Sequence, residues 1–496
     1  MMRNQISSQF GRYRIPAIGL SLTLAMGLSA CGGSEDETYT SETTEEVVQA
    51  TPATIAQESD DNYDNNVNGL ITGNTLKGWI DNWEANKPAG IEGKLVILQT
   101  GSGEAGYEFI APNGSNVFTY TASEWDEPRS NGVIETVRMV PSGRSMDTFL
   151  AKYGIDPARD MIVCAQGTAG AGNAMRAGRC WYMFRYWGTP KEHLAVLDGG
   201  NQWNGENTTL GAGYFAAAGS TPPMNGTASV KDLPEINFAL QATLEDMMNA
   251  APSQDANLLN DGVFIWDARG NNLPTSDPVD RGDEYSPDDD TDFRNGGATQ
   301  GHPNGALLLS YGNIADGSAG WTYKPKAEIQ AYLDGEADAG GNQFVDGTLQ
   351  GVGAGRAYQE GDTIYTYCET TYRAMVTGFA SAAILGLPTR FYDGAMYEWH
   401  SMSNAVDSNG NTILPWDSPW RTDKSEWSMF RTASDPANVD PRAIVNAYAS
   451  SANAVINEDL AYKGITVDDG GDTETDSDDG GSSGGGVEMP TNSCGG

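Results

Sequence analysis

The feature that most constrains this chain is a motif written twice, about 200 residues apart. Gly188-Thr-Pro leads through a short apolar run to Asp198-Gly199 and Trp203; Gly386-Leu-Pro leads through another to Asp393-Gly394 and Trp399. Each instance follows a predicted strand and helix: 160–165 then 176–187 in the first copy, 363–367 then 373–385 in the second. Lys94 to Gln99 reads as the opening strand of copy one and Val263 to Asp267 as that of copy two, so Gln99 stands where copy two has Asp267. Short apolar strands alternating with helices predict α/β units, each a parallel sheet covered by helices on both faces.

Cys368 is the most informative single residue. The β-branched and aromatic run from Thr363 to Tyr367 predicts a strand. The Ala-rich segment from Arg373 to Leu385, stopped by Gly386, predicts a helix. The thiol then sits at the carboxyl end of a strand, in a short loop whose N–H groups open a helix. Such a place favours a thiolate and can cradle an anion. In copy one, aligning the strand ends sets Ala165 opposite Cys368, with Cys164 one residue earlier and turned to the other face. Cys164 therefore reads as a small buried apolar residue. The Gly-rich loop that follows it lacks the Lys-Ser/Thr ending of a phosphate loop. Cys164 and Cys180 could pair, but a strand-end residue and an in-helix residue need not meet, and the reading favours them unpaired.

Four ordered motifs carry a resemblance: a strand ending Asp267-Ala-Arg269, then Gly301-His302-Pro-Asn-Gly305-Ala306, the Cys368 loop, and Tyr392-Asp393-Gly394 leading to Trp399. Together they resemble the rhodanese (thiosulfate sulfurtransferase) family. The doubled layout resembles its tandem members, whose first domain is inactive and whose second carries the cysteine. The resemblance implies two rhodanese-like domains and a sulfurtransferase that works through a Cys368 persulfide. Arg373 would assist, and Glu369, Thr370, Thr371, Tyr372 and Ala374 would form the loop around the sulfur. It implies no metal and no organic cofactor. Phosphatases on the same fold have five residues between Cys and Arg; here four separate Cys368 from Arg373, a ring better suited to one sulfur atom.

Departures from the family pattern are visible. Glu369 brings negative charge beside the thiol. Thr371 takes a position commonly held by Gly, where a left-handed backbone is costly. Asn201-Gln202 stand where many tandem members have a substrate-binding Arg. Arg179, Arg269 and His400 are the candidate substrate contacts, with Arg176 an alternative to Arg179. Asp267 and Arg269 are also expected to pair and fix the strand-end loop, His302 to hydrogen-bond locally, and Trp399 to belong to the core. The competing function is a catalytically idle rhodanese-like module that binds a partner or a small sulfur or selenium species.

The ends of the chain point to export. Arg3, Arg12 and Arg14 precede an apolar stretch from Ile15 to Leu28, as in a signal peptide. Leu28-Ser-Ala-Cys31 resembles the bacterial lipobox, which implies cleavage before Cys31 and a lipid on its thiol; Gly32 points to the outer membrane. The expected organisation is a signal peptide at 1–30, an acidic tether at 31–74, a first domain at 75–232, a catalytic second domain at 233–466 and an acidic Gly/Ser-rich tail at 467–496. A net charge of −38 argues against nucleic acid and against electrostatic binding to anionic lipid. The expected partners are a small sulfur-containing anion, a thiol acceptor, and a membrane reached through the lipid. Five cysteines are too few for a dense disulfide scaffold, and Cys494 reads as a free thiol on the tail. The acidic insertions at 271–299 and 334–359 read as solvated loops in preference to calcium sites.

Overall fold

The computed structural model describes residues 48–130, 135–270, 301–403, 431–432, 435–439 and 453–465. Its frame is two five-stranded sheets. The first holds β1 (Gly69–Ile71), β2 (Leu95–Gln99), β3 (Val117–Thr121), β4 (Met161–Ala165) and β5 (Leu194–Leu197), in the spatial order β1-β5-β4-β2-β3, every pairing parallel. The second holds β6 (Gln241–Ala242), β7 (Val263–Asp267), β8 (Leu307–Leu308), β9 (Thr363–Tyr367) and β10 (Thr389–Tyr392), in the equivalent order β6-β10-β9-β7-β8, again all parallel. Every residue of β2 and of β4 is buried, as a parallel sheet covered on both faces requires. The chain is an α/β protein of two like units.

The helices that cover the sheets or shape the seam between them include α1 (Gly73–Asp81), α2 (Gly143–Tyr153), α3 (Ala171–Tyr186), α4 (Ala374–Phe379), α5 (Ala395–Ser403) and α6 (Ala454–Tyr462). α4 runs on through a π-helical turn at Ala380–Ile384 and ends before Gly386, whose φ of +72° needs no Cβ. α3 and α4 meet at the seam between the units. Gly178 permits this approach, because a Cβ there would lie 2.7 Å from the Met375 carbonyl oxygen. Trp181 then packs edge-on against Phe379, centroids 5.3 Å apart, and Tyr182 lies 4.7 Å from Phe391. Burying side chains of this size stabilises by about 1.5–3 kcal/mol each. One continuous apolar cluster runs through both units.

The units also exchange segments. After β3, a hairpin of Glu127–Ser130 and Glu135–Met139 crosses to the second unit, where the Val140 N–H donates to the Asp393 carboxylate at 2.6 Å. After β8, a hairpin of Ala315–Asp316 and Thr322–Tyr323 lies on the first unit's Asp198 turn. There Tyr323 N–H donates to Asp198 Oδ1 at 2.8 Å and Gly200 N–H to the Gly320 carbonyl at 2.9 Å. Each unit thus covers the strand-end turns of the other.

Four expectations need correction. Residues 48–74, read as tether, are part of the fold: β1 is a sheet strand, Ile55 is fully buried, and Gln57 and Ser59 N–H groups bond the Ala382 and Ile384 carbonyls at 2.8 and 3.0 Å. A few apolar residues do this, and the acidic composition around them hid them. The insertion from Asp334 to Gln359 is not wholly solvated, because Phe344 is buried edge-on against Phe264 and Trp266 at 5.1 Å. Cys164 and Cys180 form a disulfide joining β4 to α3. The helix begins at Ala171, ahead of the expected Arg176, and runs back along β4 so that position 180 comes over position 164.

The fourth correction concerns register. Gln99 pairs with Ala165 and Asp267 with Tyr367, so Ala165 matches Tyr367 and Gln166 stands opposite Cys368. By the same register Cys164 matches Thr366, and Thr366 makes its own bridge to the following helix, Oγ1 to Thr377 Oγ1 at 2.7 Å. The disulfide therefore occupies the strand-to-helix position that a hydroxyl pair holds in the second unit. α6, which follows the second unit in sequence, lies on the first: Asp459 pairs with Arg129 at 2.7 Å and Tyr462 Oη donates to Asp147 at 2.6 Å. The acidic tail, the 271–299 insertion, Cys31 and Cys494 lie outside the described residues. Among the described residues no helix is long and apolar enough to cross a membrane.

Candidate active site

β9 delivers Cys368 to its carboxyl end, as its sequence predicts. The thiol is free and fully buried. Residue 367, one step earlier, fastens the strand end: Tyr367 Oη donates to Asp267 Oδ2 at 2.7 Å. Asp267 also holds Arg269, with Nε at 2.9 Å and Nη2 at 2.6 Å, and Arg269 Nη2 reaches the Gly301 carbonyl at 2.6 Å. Both partners are fully buried. The expected Asp267–Arg269 pair is present, and it makes Arg269 a fastener of the loop in place of a substrate contact. His302 hydrogen-bonds locally, Nε2 to Asp255 Oδ2 at 3.0 Å, and Trp399 is buried in the core of the second unit.

The loop from Cys368 to Tyr372 is anchored on both sides. The Cys368 and Glu369 carbonyls accept N–H groups of Met396 and Tyr397, both at 3.1 Å, which ties the loop to the start of α5. Thr371 adopts φ +71°, the left-handed conformation that a β-branched residue resists, at a cost of order 1–3 kcal/mol. It is held there by its own hydroxyl, which donates to the Asp393 carbonyl at 2.5 Å. Ala374, fully buried, opens α4, which has no side-chain cap. Glu369 turns to Arg373, Oε2 to Nη2 at 3.2 Å, with both side chains largely buried. The acid beside the thiol is matched by the arginine of the same loop.

Three first-unit residues meet this loop. Arg179, expected as a substrate contact, is fully buried and engaged elsewhere: Nη1 and Nη2 hold the Asp393 carboxylate, Nε donates to the Trp125 carbonyl at 3.2 Å and Nη2 to the Arg138 carbonyl at 3.0 Å. Asp126 accepts the Tyr372 phenol, whose pKa is raised far above its usual value by burial first and then by the Asp126 charge. Arg138 Nη1 donates to Thr370 Oγ1 at 3.2 Å, and its guanidinium lies 5.1 Å from the centre of the Tyr372 ring. Sequence reasoning missed Arg138 and Asp126, since no spacing links a hairpin to a loop more than 200 residues away. The side chain of His400 lies outside the described residues.

Besides Asp393, two buried carboxyls lie at the Asp-Gly turns. Glu398, one turn into α5, is pushed up to about 8 by burial, with the nearby Asp393 charge adding to the rise. Its Oε2 sits so close over Gly394 that a Cβ there would be 2.1 Å away. Asp198, the first-unit counterpart of Asp393, is pushed up to about 7 by burial. Where Asp393 meets the Arg179 guanidinium, Asp198 meets the Tyr323 N–H, which offsets burial only in part.

The molecule is a tandem α/β protein whose second unit carries a free thiol in a clamped loop at a strand end. Solved structures similar to it include Tum1 from Saccharomyces cerevisiae, at 15% identity over 67% of this chain and 95% of that one, TM-score 0.43. The 3-mercaptopyruvate sulfotransferase SseA from Escherichia coli is similar at 15% identity over 66% of this chain and 98% of that one, TM-score 0.41. The anaerobic ergothioneine biosynthesis enzyme from Chlorobium limicola is similar at 15% identity over 70% and 71%, TM-score 0.43. No family model and no curated protein matches the sequence. The strand order and register define the fold independently of these likenesses.

Proposed function

We propose that this protein is a rhodanese-type sulfurtransferase that moves sulfane sulfur through Cys368. The observation that carries the reading is the free Cys368 thiol at the end of β9, in a loop clamped by Thr371 to the Asp393 turn and bearing Arg373. Its thiolate attacks the outer sulfur of a donor such as thiosulfate; the S–S bond of the donor breaks, sulfite leaves, and Cys368 becomes a persulfide anion. A nucleophile (cyanide in an assay, a thiolate in a cell) then takes the outer sulfur and returns the Cys368 thiolate. Loop N–H groups and Arg373 offset the negative charge that thiolate and persulfide share. Intact-mass measurement after thiosulfate exposure tests this. A gain of one sulfur, lost on adding cyanide and absent in Cys368→Ser, is the expected result.

A second reading, an idle module that binds a partner or a small sulfur or selenium species, is favoured by two observations. Cys368 is fully buried, and Glu369 already occupies the Arg373 guanidinium. No adduct from thiosulfate, polysulfide or a mercapto acid would select it. The proposal extends to the cell envelope, with a lipid on Cys31 holding the protein at the outer membrane. The Cys164–Cys180 disulfide supports an oxidising compartment. Membrane partitioning that Cys31→Ser abolishes is the expected outcome, and soluble wild-type protein in cell fractions overturns it.

A further inference from the structure

We infer that Arg138, contributed by the first unit, receives the anionic end of the sulfur donor at the Cys368 loop; the inference rests on the sulfurtransferase reading and names the donor class, a small anion.

The argument begins with the cations around the loop. Arg179 is locked on Asp393 with both side chains fully buried. Arg373 faces Glu369 at 3.2 Å. Among the described residues Arg138 has no carboxylate partner. Its guanidinium makes one hydrogen bond, to Thr370 Oγ1 at 3.2 Å, and rests over the Tyr372 ring. That ring contact and the bond its carbonyl accepts from Arg179 Nη2 hold the residue in place, and neither places a carboxylate on its guanidinium.

Position supports the assignment. Thr370 lies two residues from Cys368 in the loop, and Arg138 is half-buried with its guanidinium on Thr370. In a chain of net charge −38 an unmatched guanidinium at this place is against the general trend and draws anions locally. The planar guanidinium suits bidentate binding of a sulfonate or carboxylate. It also supplies, from another part of the first unit, the cation that Asn201 and Gln202 lack and that Arg179 spends on Asp393.

The test compares iodoacetate with iodoacetamide as alkylators of Cys368 in the full chain. The two differ in charge and little in size, so their rate ratio cancels changes in thiol access. Arg138→Gln is expected to lower the iodoacetate-to-iodoacetamide ratio about three- to fivefold, the worth of one partly exposed charge pair. It is expected to raise the KM for thiosulfate by a similar factor with kcat little changed, and Arg138→Lys should keep most of both. An unchanged ratio in Arg138→Gln and Arg138→Ala, in protein that unfolds at the wild-type temperature, overturns the inference. Failure of wild-type protein to take sulfur from any donor sinks the sulfurtransferase reading, and the alkylation ratio still decides whether Arg138 attracts anions.

Discussion

Arg179 of the first unit and Asp393 of the second form a two-point ion pair across the seam, Nη2 lying 3.1 Å from Oδ2, with neither side chain exposed. Asp393 also accepts the Val140 N–H through its carboxylate and the Thr371 hydroxyl through its carbonyl. One turn thus connects unit packing to the strained residue of the cysteine loop. Burying two charges costs desolvation energy that only such multiple bonding offsets.

Arg179→Met should therefore destabilise the whole chain by about 3–5 kcal/mol, since it leaves the Asp393 carboxylate buried without its partner. Urea unfolding measures this. A variant of wild-type stability whose KM for thiosulfate rises would instead restore Arg179 as a substrate contact.

The Glu369–Arg373 pair sets the charge beside the thiol. Glu369→Gln removes a negative charge next to a developing anion and breaks its ion pair with Arg373, so Cys368 alkylation and reaction with thiosulfate should both speed up. Arg373→Ala removes a positive charge from the loop and should slow both, each change on the order of tenfold once solvent screening is allowed for. Rates that stay at the wild-type value in both variants would show that the loop does not stabilise an anion at Cys368.

Glu398 makes stability depend on pH. Its folded pKa, about 8, lies above its ordinary value of 4.5 because burial favours the neutral acid. Between these values the folded state holds a proton that the unfolded chain has lost, so the slope of unfolding free energy with pH is negative there. The contribution is complete below about pH 4.5 and is lost as pH rises through 8. Glu398→Gln should flatten the decline between pH 5 and 8, measured by denaturant midpoints. A curve parallel to wild type would mean that Glu398 is ionised in the fold.

The Cys164–Cys180 bond closes a loop with a sequence separation of 16, a size at which a disulfide contributes about 3 kcal/mol. Cys164→Ser should lower the thermal midpoint yet leave sulfur transfer largely intact where the fold persists, whereas Cys368→Ser should abolish it. Equal losses of transfer from both would mean that the Cys164–Cys180 bond takes part in sulfur transfer.

Much of this was legible in the residues alone. The twin α/β layout follows from two sets of apolar strands, helices and Asp-Gly turns. Cys368 at a strand end, the helix stopped by Gly386, the left-handed cost at Thr371 and the Asp267–Arg269 pair are likewise local, set by neighbours a few positions away. Backbone chemistry and side-chain periodicity act over that range, so a single chain displays their effects. Only the tertiary structure decided what meets the loop. Asp126, Arg138 and Arg179 reach it because α3 packs on α4 and the Glu127–Met139 hairpin crosses the seam. Such contacts depend on the shape of two packed cores, which residue spacing does not encode. The same reason hid the ordered segment from residue 48, which joins the first sheet through Gly69–Ile71 and the second unit through the Gln57 and Ser59 N–H groups. It also hid the disulfide, which waited on how far α3 runs back along β4.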